Sequence, residues 1–397
     1  MARHLRLQTA RWRRAVLVLA VALGATALLI RPRAGDDDRT DQAVPPPTVA
    51  TPTISGPSVS ILAAGDILAH PEVWDQAARD GRGERDFARI FERVRETISA
   101  ADLALCHLET PLAPPDGPFR GFPRFDVPPQ LAAGIASAGY DGCSTASDHA
   151  LDQGPEGVVR TLDALDQAGL GHTGTYRAKV DAGRPAIYDV NGVRVAHLAY
   201  TKDLDGVAPP AGMEWMANLI DPARVARDAR AARAAGAQIV VVSMHWGTEH
   251  QHEPDVEQQT WARQVAASPD VDVILGHHTH VVQPIELVSG TWVVYGMGDH
   301  LARHPEPVNE NRDGVMVRVT FTPAAANRWQ VAAIEALPTF VDLNPDIRVV
   351  DLERALADPR VSPGRRRIYQ AAVERIQAHL LTRNAGAAGL VVRGAAG

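Results

Sequence analysis

Ile239-Val240-Val241-Val242-Ser243-Met244-His245-Trp246-Gly247 and, one helix later, Val271-Asp272-Val273-Ile274-Leu275-Gly276-His277-His278-Thr279-His280 are the stretches that decide the fold. Each opens as a short, nearly unbroken apolar run, the pattern of a strand covered on both faces. Between them, about Val256 to Ala267 reads as a helix, so the order is strand, helix, strand. Both runs end in imidazole. A strand that stops on a metal-binding side chain places it where the strands of an open α/β sheet converge on a crevice.

The same order extends upstream. Val59 to Ala64 is an apolar run ended by Gly65-Asp66, and a helical stretch is expected from about Asp86 to Ala100. Leu103 to Cys106 reads as the second strand and Tyr140 to Ser144 as the third. A helix opens near Pro155-Glu156, with Val158, Leu162 and Leu165 at helical spacing. Pro185 to Thr201 reads as a hairpin around Asn191-Gly192, a strong short-range turn signal. An Ala/Arg-rich helix, Pro222 to Ala235, precedes the Ile239 strand. Downstream, Val281 to Val288, Trp292 to Met297, Gly314 to Thr322 and Trp329 to Leu337 read as antiparallel strands. The class is therefore α/β, with a mixed sheet or two sheets flanked by helices.

The ends of the chain read differently. Arg3, Arg6, Arg11, Arg13 and Arg14 precede an uncharged apolar run from Ala15 to Ile30. Residues 1–34 are thus an export signal or membrane anchor, and the missing small-residue cleavage site before Arg31 favours an anchor. The cationic end should stay in the cytoplasm and place the rest outside the cell membrane, or secrete it if the segment is cleaved. Residues 35–57, acidic and then Pro/Thr-rich, read as a disordered tether. Residues 58–345 read as the folded domain, and 346–397 as a helical segment with a frayed tail. Lys+Arg 40 against Asp+Glu 47 gives a net charge of −7 with no basic stripe, which argues against a nucleic-acid partner. Cys106 and Cys143 are the only cysteines. They read as two small buried hydrophobes, although export would permit one bridge between neighbouring strands.

Five strand ends bear metal-ligand side chains: Asp66; His107 and Glu109; Asp148 and His149; His245; and His277, His278 and His280. Imidazole and carboxylate without thiolate suit Zn, Mn or Fe, whereas Ca and Mg sites are nearly all oxygen. On an extended segment His278 and His280 would point the same way and reach one ion, and His277 would face the other side as a supporting or packing residue.

Gly65-Asp66, Leu108-Glu109-Thr110-Pro111-Leu112, His149-Ala150-Leu151-Asp152, His245-Trp246-Gly247 and Gly276-His277-His278-Thr279-His280 occur in the order seen in CapA-type proteins. The chain resembles these capsule and poly-gamma-glutamate synthesis proteins, a branch of the calcineurin-like metallophosphoesterases, from about Val59 to Arg303. The resemblance implies a four-layer α/β/β/α sandwich with two divalent transition metal ions. Carried over, it makes Asp66, Glu109, Asp148, His245, His278 and His280 the candidate ligands and His149 the imidazole that faces substrate. His107, His277 and Asp299 then stand as supporting or substrate-contacting residues. It implies a phosphoesterase at the outer membrane surface acting on an anionic polymer or a phosphorylated lipid or sugar, with capsule-synthesis membrane proteins as partners. The alternative is a non-catalytic accessory protein that binds the polymer or its export machinery. His107 replaces the Asn of a usual Asn-Leu-Glu, Ser147-Asp148 replaces Asn-Asn, and Gly298-Asp299-His300 replaces Gly-Asn-Phe. The superfamily's opening Asp-x-His is also missing, with His70 a distant substitute.

Overall fold

The computed structural model describes residues 56–304, 308–325 and 327–395. The apolar N-terminal run and nearly all of the tether lie outside these residues. Among the described residues no helix is long and apolar enough to cross a membrane.

The first part of the domain runs β1 (Val59–Leu68), α1 (Pro71–Asp80), α2 (Arg95–Ser99), β2 (Leu103–Leu108), α3 (Gln130–Ser137), β3 (Gly142–Ser144), α4 (Gly154–Gln167) and β4 (Gly171–Thr173). The second runs β5 (Ala186–Val190), β6 (Val193–Thr201), α5 (Pro222–Ala234), β7 (Ile239–His245), α6 (Val256–Ala266), β8 (Val273–His277), β9 (Ile285–Val288) and β10 (Thr291–Val294). The chain ends with β11 (Asp299–Ala302), β12 (Asp313–Pro323), β13 (Trp329–Asp342), β14 (Arg348–Asp351), α7 (Leu352–Ala357), α8 (Pro363–Leu380) and β15 (Leu390–Val392).

These strands make two sheets. One has the order β14-β13-β12-β1-β2-β3-β4, with β11 also on β1 and β15 also on β13; the other has the order β5-β6-β7-β8-β10-β9. Side-chain alternation along each strand sorts the core into layers. Ile61, Ala63 and Leu105 of the first sheet meet Val195, Val241 and Leu275 of the second. On the opposite face of the first sheet, Leu62, Ala64 and Ala104 pack with Val73, Leu131 and Leu162 of α1, α3 and α4. Leu198, Val240 and Ile274 cover the outer face of the second sheet with Val225 and Val265 of α5 and α6. The result is helices, sheet, sheet, helices, the four-layer α/β/β/α sandwich. Each fully buried Leu, Ile or Val contributes about 1.5 to 3 kcal/mol, so these layers dominate the stability.

Local chemistry sets several helix starts. Asp255 accepts from the Gln258 N–H while the Gln258 side chain accepts from the Asp255 N–H, a reciprocal cap that opens α6. The expected helix from Asp86 to Ala100 is instead a 3₁₀ turn, Ala88–Ile90, followed by the short α2. The Asp86 carboxylate takes the Ala88 N–H at the start of this turn, and Phe87, Ile90, Phe91 and Val94 all face the core.

The segment 346–397 supplies strands as well as helices. β13 pairs with β12 on one edge, and its other edge is filled by β15 at Ile334–Ala336 and by β14 at Thr339–Asp342. Residues read as a fraying tail therefore close a sheet edge that would otherwise expose unpaired backbone. Cys106 and Cys143 are register partners on β2 and β3, with Cα atoms 4.4 Å apart, and form a disulfide. Parallel pairing aimed both side chains the same way, which no reading of their separation in sequence could show.

Candidate metal centre

Strand register builds the site. In the first sheet Asp299, Asp66, His107 and Ser144 lie side by side across β11, β1, β2 and β3; in the second, His245 pairs with His277 across β7 and β8. Neighbours in one register row of parallel strands present side chains to the same face. The two rows meet in the seam between the sheets: His107 Nε2 is 2.9 Å from His245 Nδ1, and His277 Nδ1 is 3.1 Å from Asp66 Oδ1.

β8 ends at His277, which corrects the extended-segment reading of the residues that follow. His278 and His280 have φ of 88° and 54°, left-handed values rare for residues other than glycine. Asp66 Oδ2 accepts the His278 backbone N–H at 2.9 Å and helps hold this turn. The two imidazoles therefore part company. His278 Nδ1 lies 3.4 Å from Asp148 Oδ2 and 3.1 Å from His245 Nε2, whereas His280 lies 2.9 Å from Asp299, 3.6 Å from Asp66 and 3.6 Å from Glu109.

Among the described residues five groups could hold a metal ion, and three of them adjoin: Asp148, His245 and His278; Asp66, Glu109 and His280; and, between them, Glu109, Asp148 and His149. Asp148 belongs to the first and third of these, and Glu109 to the second and third. The Glu109 side chain is fully buried, and both carboxylate oxygens lack a hydrogen-bond partner. A carboxylate in that state costs free energy unless something positive stands against it, and two oxygens facing two clusters of imidazole and carboxylate fit a pair of divalent cations. The donor set, all imidazole and carboxylate, agrees. The charges are correspondingly displaced. Burial, reinforced by Asp66, Asp148 and Asp299 and opposed by His280, raises Glu109 well above the usual carboxylate range. Burial would raise Asp148 too, but His245 and His278 outweigh it and hold it well below.

His149 stands apart from the ligand groups' interior contacts. Its Nδ1 is 2.9 Å from Asp152 Oδ2, and Asp152 is fixed in turn by the Phe125 N–H at 2.8 Å and by Arg124 at 3.1 Å. Burial would lower the His149 pKa, but the Asp152 hydrogen bond and the Asp148 charge raise it.

Other placements refine the expectations. Asp299 is inside the site, its two oxygens on His280 and, at 2.8 Å, on His304. His304 has no signal in the sequence; Asp152 lies three residues from His149, within a motif already singled out, yet without an assigned role. His277 both bonds Asp66 and stacks on His107, with ring centroids 4.1 Å apart. His70 does not enter the clusters around Glu109. Its Nδ1 is 3.0 Å from the Leu68 carbonyl, and burial, aided by His304, lowers its pKa to about 4. His300 occupies an aromatic slot, stacked on Phe91 and bonded to the Tyr140 hydroxyl at 2.9 Å.

Comparison with known proteins adds a family. Residues 60–304 match the family model described as bacterial capsule synthesis protein PGA_cap. The chain is similar to the PGA biosynthesis protein CapA of Bacillus subtilis, with 27% identity over 305 residues, 72% of this chain and 74% of that one. It is 26% identical to the capsule biosynthesis protein CapA of Bacillus anthracis over 251 residues, 61% of this chain and 59% of the relative. A probable polyglutamine synthesis accessory protein of Mycobacterium tuberculosis is 26% identical over 290 residues, 64% of this chain and 74% of the relative. Among solved structures, the calcineurin-like phosphoesterase YfkN of Bacillus subtilis aligns over 81% of this chain and 97% of its own, with 14% identity and a TM-score of 0.45. The NAD nucleotidase of Haemophilus influenzae aligns over 85% of this chain and 64% of its own, with 11% identity and a TM-score of 0.45. The chain thus spans less than two thirds of the Bacillus anthracis relative and of the nucleotidase.

Proposed function

This chain belongs to the PGA_cap family of bacterial capsule synthesis proteins, and from that premise we propose that it is a metal-dependent phosphoesterase serving capsule or poly-gamma-glutamate synthesis. The observation that supports this most directly is the buried Glu109, without a hydrogen bond, among clusters of imidazole and carboxylate. Asp66, Glu109 and His280 would hold one divalent ion and Glu109, Asp148, His245 and His278 the other, Mn, Fe or Zn on donor chemistry. Bound there, the ions would supply Lewis acidity toward a phosphoryl oxygen and toward water.

The remaining work falls to the chain's own groups. Asp152 accepts from His149 Nδ1–H, which leaves Nε2 as the nitrogen that carries a proton to the leaving oxygen. Arg124 holds Asp152 in place and keeps a cation beside this dyad. Four carboxylates, Asp66, Glu109, Asp148 and Asp299, balance two divalent ions, so the site offers a phosphate little net attraction of its own.

That balance favours a second reading, a non-catalytic accessory protein that binds the polymer or its export machinery through a metal site. Asp148 stands where the resembling family has an amide, and a carboxylate accepts hydrogen bonds but donates none to a phosphoryl group. Metal analysis of the purified chain with a panel of phosphomonoesters and phosphodiesters separates the two. The enzyme reading expects hydrolysis that depends on bound metal, and it expects Asp148→Asn to weaken metal binding while raising the rate about ten- to a hundredfold. Bound metal with no hydrolysis by either protein supports the accessory reading instead.

We also propose that the domain sits on the outer face of the membrane, from the Arg-flanked apolar run Ala15 to Ile30 and the Pro-rich segment after it. A reporter active only in the cytoplasm, fused after Gly397, should remain silent; activity there would reverse the topology.

A further inference from the structure

We propose that His107 sets the tautomer of His245, through a hydrogen-bonded chain Ser144–His107–His245 that reverses direction when a metal ion takes His245 Nε2. The inference rests on the metal reading above and concerns residues that reading leaves without a role.

The chain is continuous and buried. Ser144 Oγ is 2.8 Å from His107 Nδ1, His107 Nε2 is 2.9 Å from His245 Nδ1, and His245 Nε2 is 3.0 Å from Asp148 Oδ1. Each neutral imidazole has one donor and one acceptor nitrogen, so fixing one end fixes every link. Without metal, the Asp148 carboxylate can only accept, and as a charged acceptor at 3.0 Å it prevails over the neutral His278 Nδ1 at 3.1 Å, so His245 carries its hydrogen on Nε2. His245 Nδ1 is then the acceptor, His107 donates from Nε2, and Ser144 donates to His107 Nδ1. The Ser144 hydroxyl is 2.8 Å from that nitrogen and 3.4 Å from a second acceptor, the Cys106 carbonyl, so it has a partner in either direction of the chain.

A metal ion at His245 Nε2 needs the lone pair there. The hydrogen must then sit on His245 Nδ1 and be accepted by His107 Nε2. His107 donates from Nδ1 to Ser144, and the Ser144 hydroxyl turns to the Cys106 carbonyl. His245, His107 and Ser144 each carry one exchangeable hydrogen before and after, so the chain changes direction with no net change in protons. His107 is suited to this because either nitrogen can take either role, while stacking on His277 and complete burial keep its ring in plane. It is a positioning residue, acting on metal through His245. Groups of this kind typically change metal affinity ten- to a hundredfold when removed.

The test uses the full chain labelled with ¹⁵N-histidine and titrated with Zn²⁺. In the wild type, nitrogen shifts should show His245 and His107 exchanging Nε2–H for Nδ1–H together as zinc binds. His107→Phe, which fills the space without an acceptor, should weaken zinc binding about ten- to a hundredfold. His107→Gln, whose amide can donate or accept, should recover most of the loss. Ser144→Ala should leave His107 on Nε2–H before zinc is added but, by removing the acceptor for His107 Nδ1–H, should weaken zinc binding, and it serves as the deciding variant if His107→Phe does not fold. Zinc binding by His107→Phe at wild-type affinity, equal weakness of His107→Gln and His107→Phe, or a His107 tautomer that zinc does not move would overturn the proposal. A wild-type chain that takes up no zinc overturns this inference and the metal reading together, whereas zinc uptake with an unmoved His107 overturns this inference alone.

Discussion

Replacing His149 with Ala is expected to lower the phosphoesterase rate about a hundred- to ten-thousandfold while leaving bound metal nearly unchanged. His149 reaches the edge of the Glu109–Asp148 group, but its Nδ1 is committed to Asp152, the arrangement of a proton donor rather than of a residue enclosed among ligands. Its working form is the protonated one. Burial favours the neutral ring, yet the Asp152 hydrogen bond and the Asp148 charge outweigh it and lift the pKa above 6.5. The rate should therefore fall as pH rises through that raised value. Asp152→Asn removes the carboxylate partner and should move the falling limb to lower pH. The checks are kcat against pH and metal content by elemental analysis. Loss of metal in step with loss of rate would make His149 a ligand and end its assignment as the acid.

How far this site could be read from the residues depends on where each side chain is attached. Glu109, His245 and His277 were legible because an apolar run that stops on a polar group marks a strand end, and strand ends converge, whereas Asp66, read as following the first strand, lies inside β1, which runs on to Leu68. The partition of the ligands was not. His278 and His280 lie past the end of β8 on left-handed backbone, where alternation along a strand no longer says which way a side chain points. Asp299 was named only through the family resemblance; the register with Asp66 is what carries it into the site. His304 follows from no local pattern at all.

The same limit explains the C-terminal segment. β14 and β15 span Arg348–Asp351 and Leu390–Val392, too short to display a period, and the long outer edge of β13 supplies their pairing. The longer apolar runs and the Asn191-Gly192 hairpin were readable because their signal is local: Asn191 and Gly192 have φ of 54° and 81°, the left-handed pair that a tight two-residue turn requires. Tertiary pairing decided the rest, including the Cys106–Cys143 bridge.

Replacing Glu109 with Leu is expected to move stability and metal binding in opposite directions. In the metal-free chain both Glu109 oxygens are buried without a hydrogen bond, and such a group costs about 1 to 3 kcal/mol relative to an apolar side chain of similar size. Burial raises the Glu109 pKa, so the folded state binds a proton more tightly than the unfolded one. The metal-free wild type should therefore lose stability as pH rises from the ordinary carboxylate range through that raised value, and Glu109→Leu should lose this dependence. At neutral pH without metal the variant should melt higher than the wild type. Added zinc should reverse the order, because ligand binding stabilises only the fold that can bind it, and the variant lacks the carboxylate that groups with Asp66 and His280 on one side and with Asp148 and His149 on the other. Thermal melts with chelator and with zinc test both halves. A metal-free variant that melts lower would mean that Glu109 has a stabilising partner, and zinc protection equal to wild type would mean that Glu109 does not join the two clusters. The opposed signs are what distinguish a group retained for binding from one retained for folding.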